Sequence, residues 1–356
     1  MNIEQKTQII NLFDKLCCGK ELNITEFKQL IDAKFMLENL VQEKALSLRE
    51  RYYGRNVYFR GLLEISSYCK NDCFYCGLRK SNSTASRYRM TAEQIIRFAD
   101  TAYDRGFRTV VMQGGDDPFL DDEFLMHIIS TIKRTHPDIA ITLSLGERSF
   151  ESYSNLRRSG ADRYLLRHET NDEYHYGKLH PAEMNLSERK ECLNFLKKLG
   201  FQVGCGMMIG SPYQTEFELA EDLYLIQQLR PEMIGIGPFI PAKGTPFAAF
   251  KYGDPDLTYY MISLIRIIRP KSLIPVTTAL STIDDSSLER GLINGGNVIM
   301  PNISPIENRK KYSIYNDKKD FKIEEEDNFI GLKKRIAKFG FIPNMGIGNY
   351  GGEDDL

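Results

Sequence analysis

Cys69, Cys73 and Cys76 stand at C-x3-C-x2-C spacing in Tyr68-Cys69-Lys70-Asn71-Asp72-Cys73-Phe74-Tyr75-Cys76-Gly77, just past a strand-like run ending at Ile65. Three thiolates so close can grip one metal centre. Three is one short of what a closed tetrahedral zinc site or an ordinary iron–sulfur cluster takes, so a centre held this way keeps a position open to a small molecule. The competing readings are a zinc knuckle completed by a distant ligand and three thiols packed in a core, where free cysteine is common. Zinc motifs usually come as C-x2-C pairs with a second pair downstream. No second pair follows here, and Cys17, Cys18, Cys192 and Cys205 are scattered.

Further groups could join this centre. Gln113-Gly114-Gly115-Asp116-Asp117-Pro118 is either a glycine turn before a helix or a place where a ligand approaches bare backbone beside an acid. In Asp162 to Thr170, Arg163, Arg167 and Glu169 share one strand parity, and Leu166 and His168 share the other. Charges on a buried strand are costly unless paired or liganded. A structural Arg–Glu pair would satisfy them, but a polar ligand is favoured. The glycine-spaced runs Gly204 to Gly210 and Gly235 to Phe239 can present backbone to a flat group or merely suit crowded packing. Thr277, Thr278 and Met300 follow late strands, and Tyr312 and Tyr315 could cap a cavity. Arg189, in a first helical turn, reads by composition as a solvated surface cation.

The elements that must position these groups alternate along the chain. Strand-length apolar runs cover Val57 to Ser66, Thr109 to Gly114, Ala140 to Leu145, Arg163 to His168, Gln202 to Ile209, Met233 to Ile240, Leu273 to Leu280 and Asn297 to Pro301. Each is followed by a segment of helical pattern, and Thr91 with Gln94 and Asn185 with Glu188 match capping-box spacing. Eight such units predict an α/β fold, a complete (β/α)8 TIM-type barrel, with its chemistry at the carboxyl ends of the strands. A doubly wound sheet would place a glycine-rich phosphate loop where the cysteines stand. Residues 1–50 are polar and helical in pattern, an N-terminal extension, and 51–356 form the barrel with its C-terminal segment. With 47 basic against 48 acidic residues, no global charge favours nucleic acid or an anionic membrane. No run approaches the roughly 20 apolar residues of a membrane span, and the start resembles no targeting peptide. A cytoplasmic protein acting on a small molecule or a protein partner is expected.

The cysteine triad, with an aromatic directly before its third member, resembles the radical S-adenosylmethionine (SAM) enzymes. The runs Arg60 to Ser66, Cys76-Gly77-Leu78-Arg79, Leu143-Ser144-Leu145-Gly146-Glu147, Ala161 to Thr170, Ile234 to Pro241, Thr277-Thr278-Ala279 and Val298 to Asn302 resemble, more specifically, the FeFe-hydrogenase maturases of the HydE family. The likeness spans roughly residues 50 to 350. It implies a radical SAM barrel with one 4Fe-4S cluster on Cys69, Cys73 and Cys76. SAM would be held through its methionine ammonium by Gly114, Gly115 and Asp116, through its ribose by Glu169, through its carboxylate by Arg189, and near its adenine by Tyr75. Arg163, Thr277, Thr278 and Met300 would bind substrate, and Arg167, Tyr312 and Tyr315 would act on it. The resemblance further implies reductive cleavage of SAM to a 5′-deoxyadenosyl radical. That radical would act on a small organometallic iron complex received from HydG, and the product would pass to the HydF scaffold, with an external electron donor required.

One departure is visible. Some HydE proteins carry a second cysteine triad near the C-terminus, whereas here no cysteine follows Cys205 and residues 316–327 are charged; a second cluster is not expected. Methylornithine synthase and biotin synthase are the rival radical SAM readings. The latter needs further barrel cysteines, of which only Cys205 qualifies. A non-catalytic iron–sulfur or zinc protein is the rival from another class.

Overall fold

The computed structural model describes residues 2–319 and 326–351. Three helices come first, α1 (Ile3–Cys17), α2 (Ile24–Asp32) and α3 (Lys34–Tyr53). Capping boxes at Asn2 and Asn23 start the first two, each asparagine accepting from the N3 amide while the N3 side chain returns the bond. These helices lie on the rest of the molecule. Phe27, Leu30, Leu37 and Val41 are fully buried, Gln227 exchanges two hydrogen bonds with the Leu22 backbone, and the Tyr260 hydroxyl donates to Leu30 O.

The strands are β1 (Asn56–Phe59), β2 (Gly61–Ser66), β3 (Thr109–Gly114), β4 (Ala140–Ser144), β5 (Arg163–Leu165), β6 (Gln202–Cys205), β7 (Met208–Ile209), β8 (Met233–Ile234), β9 (Gly237–Pro238), β10 (Val298–Ile299) and β11 (Ile342–Asn344). A parallel sheet runs β2-β3-β4-β5-β6-β8. Parallel bridges carry the ring onward from Met233 to Leu273 and from Pro275 to Val298, then back from Asn302 to Leu62, while β10 also pairs with β1. The eight strand positions therefore close. Almost every side chain of β2, β3 and β4 is buried, as a parallel sheet covered by helices requires.

Helices follow the strands as the periodicity predicts. The Thr91 hydroxyl accepts from the Gln94 amide in a capping box before Ala92–Asp104, and the Asn185 side chain accepts from the Glu188 amide before Leu186–Lys198. Three details differ from the sequence pattern. The fourth strand ends at Leu165, so Arg167 to Thr170 form loop backbone at the mouth. The seventh is reduced to bridges at Leu273 and Pro275, because Thr278–Ile283 coils into a helix. A further helix, Glu173–Leu179, and the extra strand β11, paired in parallel with β1, had no clear periodic signal. Of the charged stretch 316–327, residues 320–325 lie outside the described residues, as do 352–356 of the C-terminal segment.

Candidate active site at the barrel mouth

The cysteine loop leaves β2 at Ser66 and is tied down at both ends. The Tyr68 amide donates to Ser66 Oγ at 3.1 Å, and Ser66 Oγ donates to Asp117 Oδ2 at 2.6 Å. Arg87 donates to the carbonyls of Ser67, Leu78 and Arg79, and the Asp72 carboxylate accepts from Arg79 Nε and the Ser81 amide. The second strand end presses on this loop. A Cβ at Gly115 would stand 2.1 Å from Tyr68 O and 2.8 Å from Cys69 Cβ, so only glycine fits. Asp116 completes the tie: its carbonyl accepts from the Lys70 amide at 2.7 Å, and its carboxylate pairs with Lys70 Nζ and meets the Asn71 side chain and the Glu147 amide.

Burial pushes all three thiols up, Cys76 to about 12, and the charges of its companions raise Cys73 and Cys76 further. Thiolates at this spot thus need a strong positive centre beside them. Among the described residues no three His, Cys, Asp or Glu side chains converge as ligands of a single ion would. The soft donor set of the three thiols fits an iron–sulfur cluster.

Around the loop stand the other expected groups. Glu169 adopts a left-handed backbone (φ 66°) and its amide donates to Gly206 O. Such strain in a non-glycine residue concentrates at functional sites. Its buried Oε2 is ion-paired with Arg167 Nη2 at 3.2 Å. Arg189 is buried rather than solvated, paired with Glu147 and donating to Arg167 O at 2.6 Å. Burial works against its charge, but the Glu147 carboxylate overrides that and holds its pKa above the ordinary arginine value. The Tyr75 hydroxyl meets His180 Nε2 at 3.2 Å, and the Phe74 amide donates to Leu179 O.

Inside the barrel a cavity of about 140 Å³ is lined by Arg167, Thr277, Thr278, Met300 and Tyr315 among the expected residues. Tyr315 Oη and Thr278 Oγ1 are 2.8 Å apart. Thr277 Oγ1 and Arg167 Nε are buried without a hydrogen-bond partner, while Arg167 Nη2 donates to Met207 O. Tyr312 stands one layer back, its hydroxyl accepting from Gln113 Nε2 at 3.3 Å.

Arg163 departs from the substrate-binding role expected of it. It is the first residue of β5, at the amino end of the barrel, and it is fully buried under the C-terminal segment. Its guanidinium donates to the carbonyls of Ile347 and Gly348, to Asn349 Oδ1, Thr109 Oγ1 and Gln202 Oε1. Residues 163 and 167 share parity, but at roughly 3.3 Å per residue they are a barrel layer or more apart. At Gly115 the backbone closeness is used by the chain itself, since Tyr68 O and Cys69 fill the space a side chain would take.

Sequence reasoning missed Glu147, Glu64, Gln113 and Lys318. Glu64 and Lys318 form an ion pair in the cavity wall, both almost wholly buried. A carboxylate in the middle of the apolar β2 carried a usable signal, the cost of burying it. Lys318, in a charged loop, carried none.

Residues 63–226 match the Radical SAM superfamily model. Over 268 residues the chain is 43% identical to the FeFe hydrogenase maturase subunit HydE of Thermotoga maritima, covering 75% of this chain and 76% of that one. It is 28% identical over 338 residues to the 3-methylornithine synthase of Methanosarcina barkeri, covering 94% and 93%. Among solved structures, methylornithine synthase (PylB) superposes with a TM-score of 0.79 at 26% identity, covering 94% of this chain and 97% of that one. A HydG structure superposes with 0.81 at 21% identity, covering 95% and 76%, which speaks for the shared fold alone.

Proposed function

We infer the reaction from the family: this chain belongs to the radical SAM enzymes and, among them, to the HydE maturases of FeFe hydrogenase. Its family brings a 4Fe-4S cluster and SAM. Bound together, they supply one-electron cleavage of the sulfonium, giving methionine and a 5′-deoxyadenosyl radical.

The roles of the chain's own residues are read from the family resemblance, and their positions at the barrel mouth support it. Cys69, Cys73 and Cys76 hold the cluster and leave one iron to SAM. The Asp116 carboxylate, with the carbonyls near Gly114 and Gly115, receives the SAM ammonium. Arg189, kept cationic by Glu147, takes the carboxylate, Glu169 the ribose, and the backbone at Tyr75 the adenine. Arg167, Thr277, Thr278 and Met300 seat the substrate, Tyr315 closes the cavity, and Tyr312 stands behind it. The substrate is a small organometallic iron complex delivered from the HydG reaction, and its product goes to HydF. The protein works in the cytoplasm with an external electron donor.

The observation that supports this reading is two buried polar atoms without a hydrogen-bond partner, Arg167 Nε and Thr277 Oγ1, on residues that line one cavity at the carboxyl ends of strands whose first end bears the cysteines. A folded chain leaves such atoms unpaired when a ligand completes them. The 43% identity to HydE, against 28% to methylornithine synthase, favours the maturase substrate.

Anaerobic reconstitution with iron and sulfide, then SAM and dithionite, should yield 5′-deoxyadenosine, and Cys73→Ala should abolish it. A fully loaded cluster that leaves SAM intact would refute the radical reading. The maturase reading fails if the chain cannot restore hydrogenase activity to a HydE-deficient host that supplies the other maturases.

A further inference from the structure

Against the cysteine loop, among the loops that follow the first, sixth and eighth strands, lies a groove of about 550 Å³ that the site just described does not use. Its inner wall is Gly77, the residue bonded to Cys76, together with Asn82. Its outer rim carries Lys243, Lys310 and Lys311, of which Lys243 and Lys310 are exposed. No ion pair to any of the three is formed among the described residues, although Asp317 is also on the rim. In a chain of net charge −1, three such lysines on one groove make a local positive field.

The groove is rigid where it meets the cysteines. The Gly77 amide donates to Ile314 O, and a Cβ at Gly77 would stand 2.0 Å from Ser313 O. The Asn82 amide group donates to both Gly77 O and Lys243 O. Lysine groups placed around a fixed concavity steer and orient an oppositely charged partner more than they tighten it.

We propose that this groove is the docking face for a small acidic electron-transfer protein that reduces the cluster. The proposal rests on the cysteine-held cluster of the preceding section. Its logic is the short path: the groove wall is one peptide from a cluster ligand, and the groove shares no lining residue with the substrate cavity. One electron leaves the donor's reduced flavin, taking hydroquinone to semiquinone, and reduces the cluster. No other bond changes.

The test uses the reconstituted holoenzyme, a recombinant flavodoxin of strongly negative net charge, and the triple variant K243E/K310E/K311E. A second triple variant, K6E/K20E/K198E, reverses exposed charges elsewhere on the chain. Binding is measured by calorimetry at low ionic strength. The groove variant should bind the flavodoxin at least about tenfold more weakly, the control variant should bind as the parent does, and parent binding should weaken as salt is added. With dithionite as reductant, both variants should make 5′-deoxyadenosine at the parental rate; with the flavodoxin, only the groove variant should slow. Equal flavodoxin binding by parent and groove variant, or equal weakening by the control variant, would overturn the proposal. Loss of the dithionite reaction in the parent would instead count against the radical reading itself.

Discussion

Replacing Gly115 by alanine tests how the second strand end shapes the cysteine loop. The new Cβ would be 2.1 Å from Tyr68 O and 2.8 Å from Cys69 Cβ, so one side has to give by about 1 Å to reach ordinary contact. The loop cannot yield freely. The Lys70 amide is bound to Asp116 O at 2.7 Å, the Tyr68 amide to Ser66 Oγ at 3.1 Å, and Arg87 to Ser67 O at 2.6 Å. Overpacking costs about 1–3 kcal/mol, and one or two sacrificed hydrogen bonds add about 1 kcal/mol each. The expected loss is therefore about 2–5 kcal/mol, concentrated at Cys69. Gly177→Ala is the matched control. It sits in the helix Glu173–Leu179 with nothing within 4 Å of the added Cβ, and should leave stability unchanged or raise it by up to about 1 kcal/mol. Thermal melts of the unloaded protein and iron and sulfide content after reconstitution give the two readouts. G115A should melt several degrees lower and load substoichiometrically, while G177A does neither. Full loading of G115A with an unchanged melt would refute the packing argument.

Three further outcomes follow from the geometry. Arg163→Met should strand several carbonyl acceptors beneath the barrel and lower the melting temperature by several degrees, without changing 5′-deoxyadenosine formed per folded molecule; a specific loss of turnover would return Arg163 to the substrate site. Glu169→Gln removes the charge facing Arg167 and one acceptor for the ribose, and should weaken SAM binding about tenfold or more, as read by calorimetry on the loaded protein; parental affinity would exclude Glu169 as a ligand. Burial drives His180 down to about 3, and the nearby Arg189 charge reinforces this. It stays neutral when folded and protonates when unfolded, so its contribution to stability is full above about pH 6.5 and falls below it. It should cost about 1.4 kcal/mol per pH unit below 6.5, seen as a falling urea midpoint in the parent but not in His180→Gln; equal slopes in the two would show that His180 is not held neutral.

The fold and the candidate site were legible to different depths. Barrel strands and their helices showed in period-2 and period-3.6 patterns because burial imposes those periods locally. The cysteine triad is a local feature too, since its three members share one loop. The charged segment after β5 announced a special place, but parity could not say which charge faces which end. Arg163 and Arg167 have the same parity, and only the direction of β5 and the C-terminal segment folded beneath it sent one down and left the other at the mouth.

By itself the sequence determined the repeating β/α order, the metal-gripping triad and, through the buried cost of its charges, that the fourth strand end is special. Only the tertiary structure decided that Arg189 is a buried ion-pair partner rather than a surface lysine-like cation, that Gly115 is glycine because Tyr68 and Cys69 pass over it, and that Glu64 and Lys318, 254 residues apart, meet in the cavity wall. The physical reason is range. Periodicity and ligand spacing are written within a few residues, whereas pairing of buried charges and close backbone crossings depend on which distant segments the closed barrel brings together.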